Sequence, residues 1–117
     1  MKKTFTCINT VQKNKEYIMI VYVHKIVQDS FSPIFGKMLW QQVEKEGNVQ
    51  KESEIILDFE GVDSFTTLFF NAMFNEIKEN YNREVALSII DKLQIKNIGD
   101  IDTDTFQRSK SGIKSKI

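Results

Sequence analysis

One cysteine, one histidine and one proline stand among 117 residues, and the first two scarcities each close off a class of function. Cys7 alone permits neither an internal disulfide nor a cysteine-rich zinc site. A single His24 leaves no histidine cluster to hold a metal. Net charge is missing too: sixteen Lys and Arg offset sixteen Asp and Glu. Composition therefore supplies no electrostatic case for dedicated nucleic-acid binding or for an anionic membrane. The longest apolar run, Tyr17 to Val23, spans seven residues and is too short to cross a bilayer. Thr4, Thr6, Asn9 and Thr10 break up any apolar core behind the basic start Met1-Lys2-Lys3, so a signal peptide is not expected. The expectation is a cytoplasmic protein.

What is present is an ordinary globular composition, 41% hydrophobic and 27% charged, which argues against disorder and for one packed core. The zero net charge hides three blocks. Residues 1–51 carry eight lysines against four acids, and residues 52–104 carry twelve acids against four cations. The last thirteen residues hold Arg108, Lys110, Lys114 and Lys116 with no acid. Blocks of this kind read as solvated faces and a basic tail. The division expected is one domain over 1–106 followed by a flexible tail over 107–117, whose four cations release too few counterions for a nucleic-acid binder.

Thr4 to Val11 reads as a strand, then a turn near Asn14-Lys15. Tyr17 to His24 is β-branched and aromatic on both faces and fits an interior strand. Ser32-Pro33 is a helix start, with a hydroxyl cap and proline at the first helical position. Ile34, Phe35, Met38, Leu39 and Val43 then share one helical face, and Gly47-Asn48 supplies a left-handed stop. Ile55 to Phe59 is a short buried strand ending in the acidic, glycine-bearing turn Glu60-Gly61-Val62-Asp63, where Gly61 is expected to occupy a positive-φ or closely packed position. A second helix begins between Ser64 and Thr67, with Leu68, Phe69, Ala72, Met73, Ile77 and Tyr81 inward and Asn82 at its end. Glu84 to Ile90 reads as another strand, and Asp91 to Ile98 as a short helix stopped by Gly99. The order β-β-α-β-α-β-α predicts parallel neighbours and a sheet with helices packed on it.

Ile55 to Phe74 resembles the STAS-like domain family of unknown function, in which a hydrophobic strand leads through Asp-Phe-x-Gly-Val and a hydroxyl run into a Phe-rich helix. Asp58, Phe59, Gly61 and Val62 match the strand-end motif, Thr66 and Thr67 the hydroxyl run, and Phe69 the phenylalanine opening the helix. Ser32 to Val43 resembles the family's first helix, with Gly36 at its small position. The resemblance spans about residues 17–98 and implies an α/β fold: a mixed sheet of about four strands with helices mainly on one face. The broader STAS fold is that of bacterial anti-sigma factor antagonists, where a partner kinase phosphorylates a Ser or Thr in the corresponding loop. Here Thr66-Thr67-Leu68-Phe69 replaces their Asp-Ser-Ser-Gly, keeping the hydroxyls and losing the acid and the glycine. Thr67 matches the antagonist position, which makes it the first candidate for phosphorylation and Thr66 the second. The resemblance implies a protein partner, either a kinase-like ATPase or an antagonised target.

No enzyme constellation accompanies this pattern. The chain lacks a glycine-rich phosphate loop with lysine, a Gly-x-Ser-x-Gly elbow and His-Glu-x-x-His. Cys7 and His24 could pair across two strands as nucleophile and base, but a buried structural cysteine and a strand-end histidine is the preferred reading. Asp100, Asp102 and Asp104 alternate like a calcium loop, but Thr105 and Ser111 stand where its turn glycine and bidentate Glu belong. No metal and no cofactor is expected. Asp58, Glu60 and Asp63 crowd one turn, where acids serve as turn formers and helix-dipole partners. Nine phenylalanines are the sequence's excess, and Phe65, Phe69, Phe70 and Phe74 concentrate around the second helix. Phe70, Phe74 and Trp40 fall beside the inward stripes; core filling is one reading of the phenylalanines, and an exposed apolar patch is the other, on which a homodimer or hetero-complex is predicted. The function expected is a non-catalytic regulatory module touching a partner through Asp58, Glu60, Asp63, Phe65, Thr66, Thr67, Phe70, Phe74 and Trp40. Two alternatives remain open: a mobile-element inhibitor or accessory protein binding without a phosphoswitch, and a small hydrolase or nucleotide-binding domain.

Overall fold

The chain's first described element is a hairpin. In the computed structural model, which describes residues 8–27, 33–47, 49–62 and 66–117, β1 (Ile8–Lys13) pairs antiparallel with β2 (Glu16–Tyr22). Their two-residue loop places Asn14 at φ 51° and Lys15 at φ 67°, both left-handed, which suits the twist of a tight hairpin. β3 (Glu54–Asp58) and β4 (Leu93–Lys96) extend the sheet in parallel, giving the order β1-β2-β3-β4. The expected mixed four-stranded sheet is what forms, with β2 inside it. Met19, Val21, Ile55, Leu57 and Leu93 are buried on one face, whereas Ile18, Ile20 and Ile56 opposite are only partly covered.

Among the described residues four α-helices accompany the sheet: α1 (Pro33–Glu46), α2 (Thr67–Asn80), α3 (Arg83–Asp91) and α4 (Asp100–Lys114). Their order corrects the sequence reading at three places. The strand expected over Glu84 to Ile90 is α3. Asn82, read as the end of the preceding helix, caps α3 by accepting from the Val85 amide at 2.9 Å. Ala86, Ile89 and Ile90 are the buried set, a helical spacing that the two-residue alternation had masked. The helix expected over Asp91 to Ile98 is instead β4, where Leu93 and Ile95 face inward and Gln94 and Lys96 outward. The stretch 107–117, expected to trail as a flexible basic tail, runs as helix to Lys114. Only Phe106, Ser109 and Ile113 are buried along α4, too sparse a stripe to register as periodicity.

Helix phase supplies the fourth correction. On α1, Leu39, Trp40 and Val43 are fully buried while Ile34 and Met38 are exposed. The cause is Gly36: a Cβ there would stand 2.1 Å from the Phe69 carbonyl oxygen, so α1 meets α2 backbone to backbone along that side. On α2, Phe69, Phe70, Met73, Phe74 and Ile77 are buried and Leu68 is exposed. α2 packs against α1, α3 and α4, so its covered face is wider than one stripe. Phe70 sits at the centre. Its ring meets Phe59 at 6.1 Å, Phe69 at 5.5 Å and Phe106 at 5.4 Å, all edge to face. Glu44 ties α1 to the chain beyond α2, accepting from the Trp40 indole and a hydrogen bond from Tyr81. Burial and that carboxylate push the Tyr81 hydroxyl up to about 12. No helix among the described residues is long and apolar enough to cross a membrane.

Candidate functional site

Parallel strands deliver their C-terminal ends to one edge of the sheet, the edge at which open α/β sheets present ligands and partners. Here β3 ends at Asp58, and the chain turns through Phe59, Glu60 and Gly61 toward α2. Asp58 is buried, and its Oδ1 accepts from the Glu60 amide at 3.0 Å and from the Asn97 amide group at 2.8 Å. Its Oδ2 lies 3.9 Å from Lys96 Nζ. The carboxylate therefore holds the ends of β3 and β4 together and shapes the turn. Asn97 adopts φ 61°, a left-handed conformation that asparagine tolerates. The expectation for Gly61 matches its φ of +88°, and the Val62 amide closes the turn on the Phe59 carbonyl at 3.0 Å. His24 flanks this turn, since a Cβ on Gly61 would lie 3.6 Å from the imidazole Cγ.

The two threonines part company at the start of α2. Thr66 is extended (φ −109°, ψ 159°) and its Oγ1 accepts from the Phe69 amide at 3.2 Å, a helix cap. Thr67 begins the helix, is exposed, and makes no side-chain hydrogen bond among the described residues. Beside it Leu68 is 58% exposed, and on α1 Ile34 is 59% exposed. Both had been read as inward-facing.

The other expected contact residues divide into two groups. Asp63 and Phe65 lie outside the described residues, as does Cys7, so the Cys7–His24 pairing has no geometry to report. Phe70, Phe74 and Trp40 are fully buried, which removes them from any contact surface. They fill the space where α2 meets α1 and α4, and an expectation of self-association built on them loses its footing. Asp100, Asp102 and Asp104 occupy the opening turns of α4, where the first two face the positive end of the helix dipole. Asp104 pairs with Arg108 at 2.9 Å. Among the described residues no group of three His, Cys, Asp or Glu side chains is placed to hold a metal.

Sequence reasoning missed two features. One is Asn97, which only the register of β4 brings to Asp58. The other is a groove of about 390 Å³ between α2 and α4, lined by Thr67, Asn71 and Asn75 from the first, Arg108 and Ser109 from the second, and Lys116 just beyond it. The spacing of Thr67, Asn71 and Asn75, four residues apart, was visible once α2 had its true phase. The α4 side was not, because that segment was read as tail.

Comparisons with curated proteins and with solved structures found no match. The family model described as a STAS-like domain of unknown function (DUF4325) matches residues 36–103. That span runs from the close-packed Gly36 through the Asp58–Gly61 turn and the Thr66 cap into α4, more than half of the chain, and the chain belongs to this STAS-like domain family.

Proposed function

We propose that the chain is a non-catalytic regulatory module of the cytoplasm that binds another protein through the exposed part of its β3–α2 edge. With Phe70 and Phe74 inside the core, the contact surface narrows to Glu60, Gly61, Thr67 and Leu68. The observation that carries this reading is the split between the two threonines. Thr66 is committed to capping α2, which leaves Thr67 as the accessible hydroxyl at the position matching the antagonist phosphosite. A phosphate on Thr67 would add about −1.5 to −2 charges at the start of α2, and a partner fitted to the unmodified edge would feel the change. Membership in a STAS-like family fits a regulatory role of this kind. The partner proposed is a kinase-like ATPase or the target that such a kinase frees.

The reading is tested by affinity capture from the native host, with wild type, Thr67→Ala and Thr67→Glu as baits and mass spectrometry as readout. A switch predicts one protein enriched with wild type and Thr67→Ala and lost with Thr67→Glu. Equal recovery by all three, with the variants differing only in melting temperature, would make Thr67 structural. Leu68→Glu should abolish capture without altering the fold, because the side chain is solvent-facing.

A further inference from the structure

The groove between α2 and α4 differs in charge from three other concavities of the surface. Beside Ile34, the hollow between α1 and α2 sets Lys37 against Glu76 and Glu79. At the opposite end of the sheet, one depression holds Lys13 with Glu16 and Glu54, and another holds Lys92 with Glu52, Glu54 and Asp91. The α2–α4 groove carries Arg108 and Lys116 and no acid in its lining. In a chain of zero net charge, that is a local concentration of positive potential.

The fates of the four C-terminal cations sharpen the point. Lys114 is spent on Asp91 at 2.6 Å, and Lys110 donates to the Leu93 carbonyl at 3.1 Å, packing α4 onto the end of the sheet. Lys116 makes no ion pair among the described residues. Arg108 meets only Asp104, one helical turn away, with 79% of its side chain exposed. Exposed pairs of that spacing hold weakly and are readily exchanged for a stronger anion. The groove is also furnished with neutral donors. Ser109, itself buried, donates to the Asn71 side-chain oxygen, which commits the oxygen end of that amide and leaves its NH2 group free to donate. Asn75 lies one turn further along α2, and Thr67 at the first position of α2 adds a hydroxyl near a helix start with open amides.

We propose that this groove binds a phosphoryl group, with Arg108 and Lys116 supplying charge and Asn71 and Asn75 supplying amide donors. Guanidinium and several convergent N–H groups suit the three oxygens of a phosphoryl dianion. The group has two possible sources, and both present the same chemistry to the groove. It can belong to a free phosphorylated molecule, which a volume of about 390 Å³ admits. It can also be carried by Thr67, whose side chain lines the groove. In that case the Thr67 hydroxyl attacks the γ-phosphorus of a nucleoside triphosphate on a kinase, the bond to the diphosphate breaks, and the hydroxyl proton passes to the kinase's base. Arg108 then exchanges Asp104 for the new phosphate. The free-molecule source does not depend on Thr67 being a switch.

The test uses the full chain in two arms. In the first, inorganic phosphate is titrated at constant ionic strength with chloride as control, read by amide chemical shifts. The expected result is movement of the amides over 67–75 and 108–116, with affinity about tenfold or more weaker in Arg108→Gln/Lys116→Gln and partly restored in Arg108→Lys/Lys116→Gln. In the second, the chain bearing phosphothreonine at position 67 is compared with the unmodified chain by thermal melting. A phosphate held in cis raises the melting temperature, and the double variant loses the gain. Phosphate binding in the first arm identifies a free ligand, and a gain confined to the second identifies Thr67 as the carrier. The proposal fails if phosphate leaves the groove amides unmoved and the phosphorylated chain gains nothing, or if every effect survives removal of both cations.

Discussion

Asp58 at the C-terminal end of β3 and Glu52 just before its N-terminal end are both carboxylates covered by the fold, 7% and 9% exposed, yet their surroundings differ. Asp58 receives two hydrogen bonds and a nearby ammonium. Glu52 keeps one oxygen, Oε1, with no hydrogen-bond partner among the described residues. Lys92, whose charge acts on Glu52, donates to the backbone carbonyls of Glu52 at 2.7 Å and of Gln50 at 3.4 Å. Burial is therefore not what distinguishes a useful buried acid from a costly one. The upper acid organises two strand ends and a turn, and the lower one is tolerated.

The largest effect expected from breaking this contrast lies beneath the upper end, where Phe59 follows Asp58 into the core. Phe70 joins Phe59 to Phe69 and Phe106, so Phe70→Ala removes the ring common to β3, α2 and α4. The expected loss is about 3–5 kcal/mol in urea unfolding, with a cavity that the surrounding rings cannot close. A loss below about 1 kcal/mol would mean that Phe70 is not the hub of the aromatic cluster.

Asp58→Ala comes next. It strands the Glu60 amide and the Asn97 side chain and frees the left-handed Asn97 from its anchor. The expected loss is about 2–3 kcal/mol, since buried donors are left without acceptors. Asp58→Asn should fall between wild type and Asp58→Ala, because its oxygen can still accept from Glu60 while its NH2 meets other donors. Equal stability of all three proteins, measured by chemical denaturation, would show that the turn holds itself.

Much of this upper end was legible in the sequence. A β-branched run without charge marked β2, Pro33 marked the start of α1, and Gly61 followed by hydroxyls marked a left-handed turn and a capped helix. These are local signals, each decided by one or two residues. The remainder depended on neighbours the sequence does not announce. Phe70, Phe74 and Trp40 looked surplus because α2 was given one covered face, when α1, α3 and α4 all pack against it. α3 was mistaken for a strand because Val85, Leu87 and Ile89 alternate, while the cap at Asn82 had already been assigned to the previous helix. The groove was missed for the same reason as α4: its cations lie on, and just beyond the end of, a helix whose apolar residues are few.

The smallest effect, and the one of opposite sign, belongs to Glu52. Burial raises its carboxyl above the usual value of 4.5, and the Lys92 charge only partly offsets this. Burial also lowers Lys92 from 10.5, with Glu52 pulling it back up. Because the folded-state value of Glu52 is raised, the folded protein favours its protonated form. The stability this contributes is fully present below pH 4.5 and is lost as pH rises through the folded-state value. At neutral pH the ionised carboxylate is therefore a liability, and Glu52→Gln, which is neutral and nearly the same shape, should melt slightly above wild type. The gain should stay within about 1 kcal/mol, because the variant also gives up the attraction to Lys92. Lowering the pH toward 4.5 protonates Glu52 in the wild type and should close the gap between the two curves. A variant that melts below wild type at pH 7, or a gap that does not change with pH, would mean that the ionised Glu52 is as well accommodated as Asp58, and the contrast between the two ends of β3 would collapse.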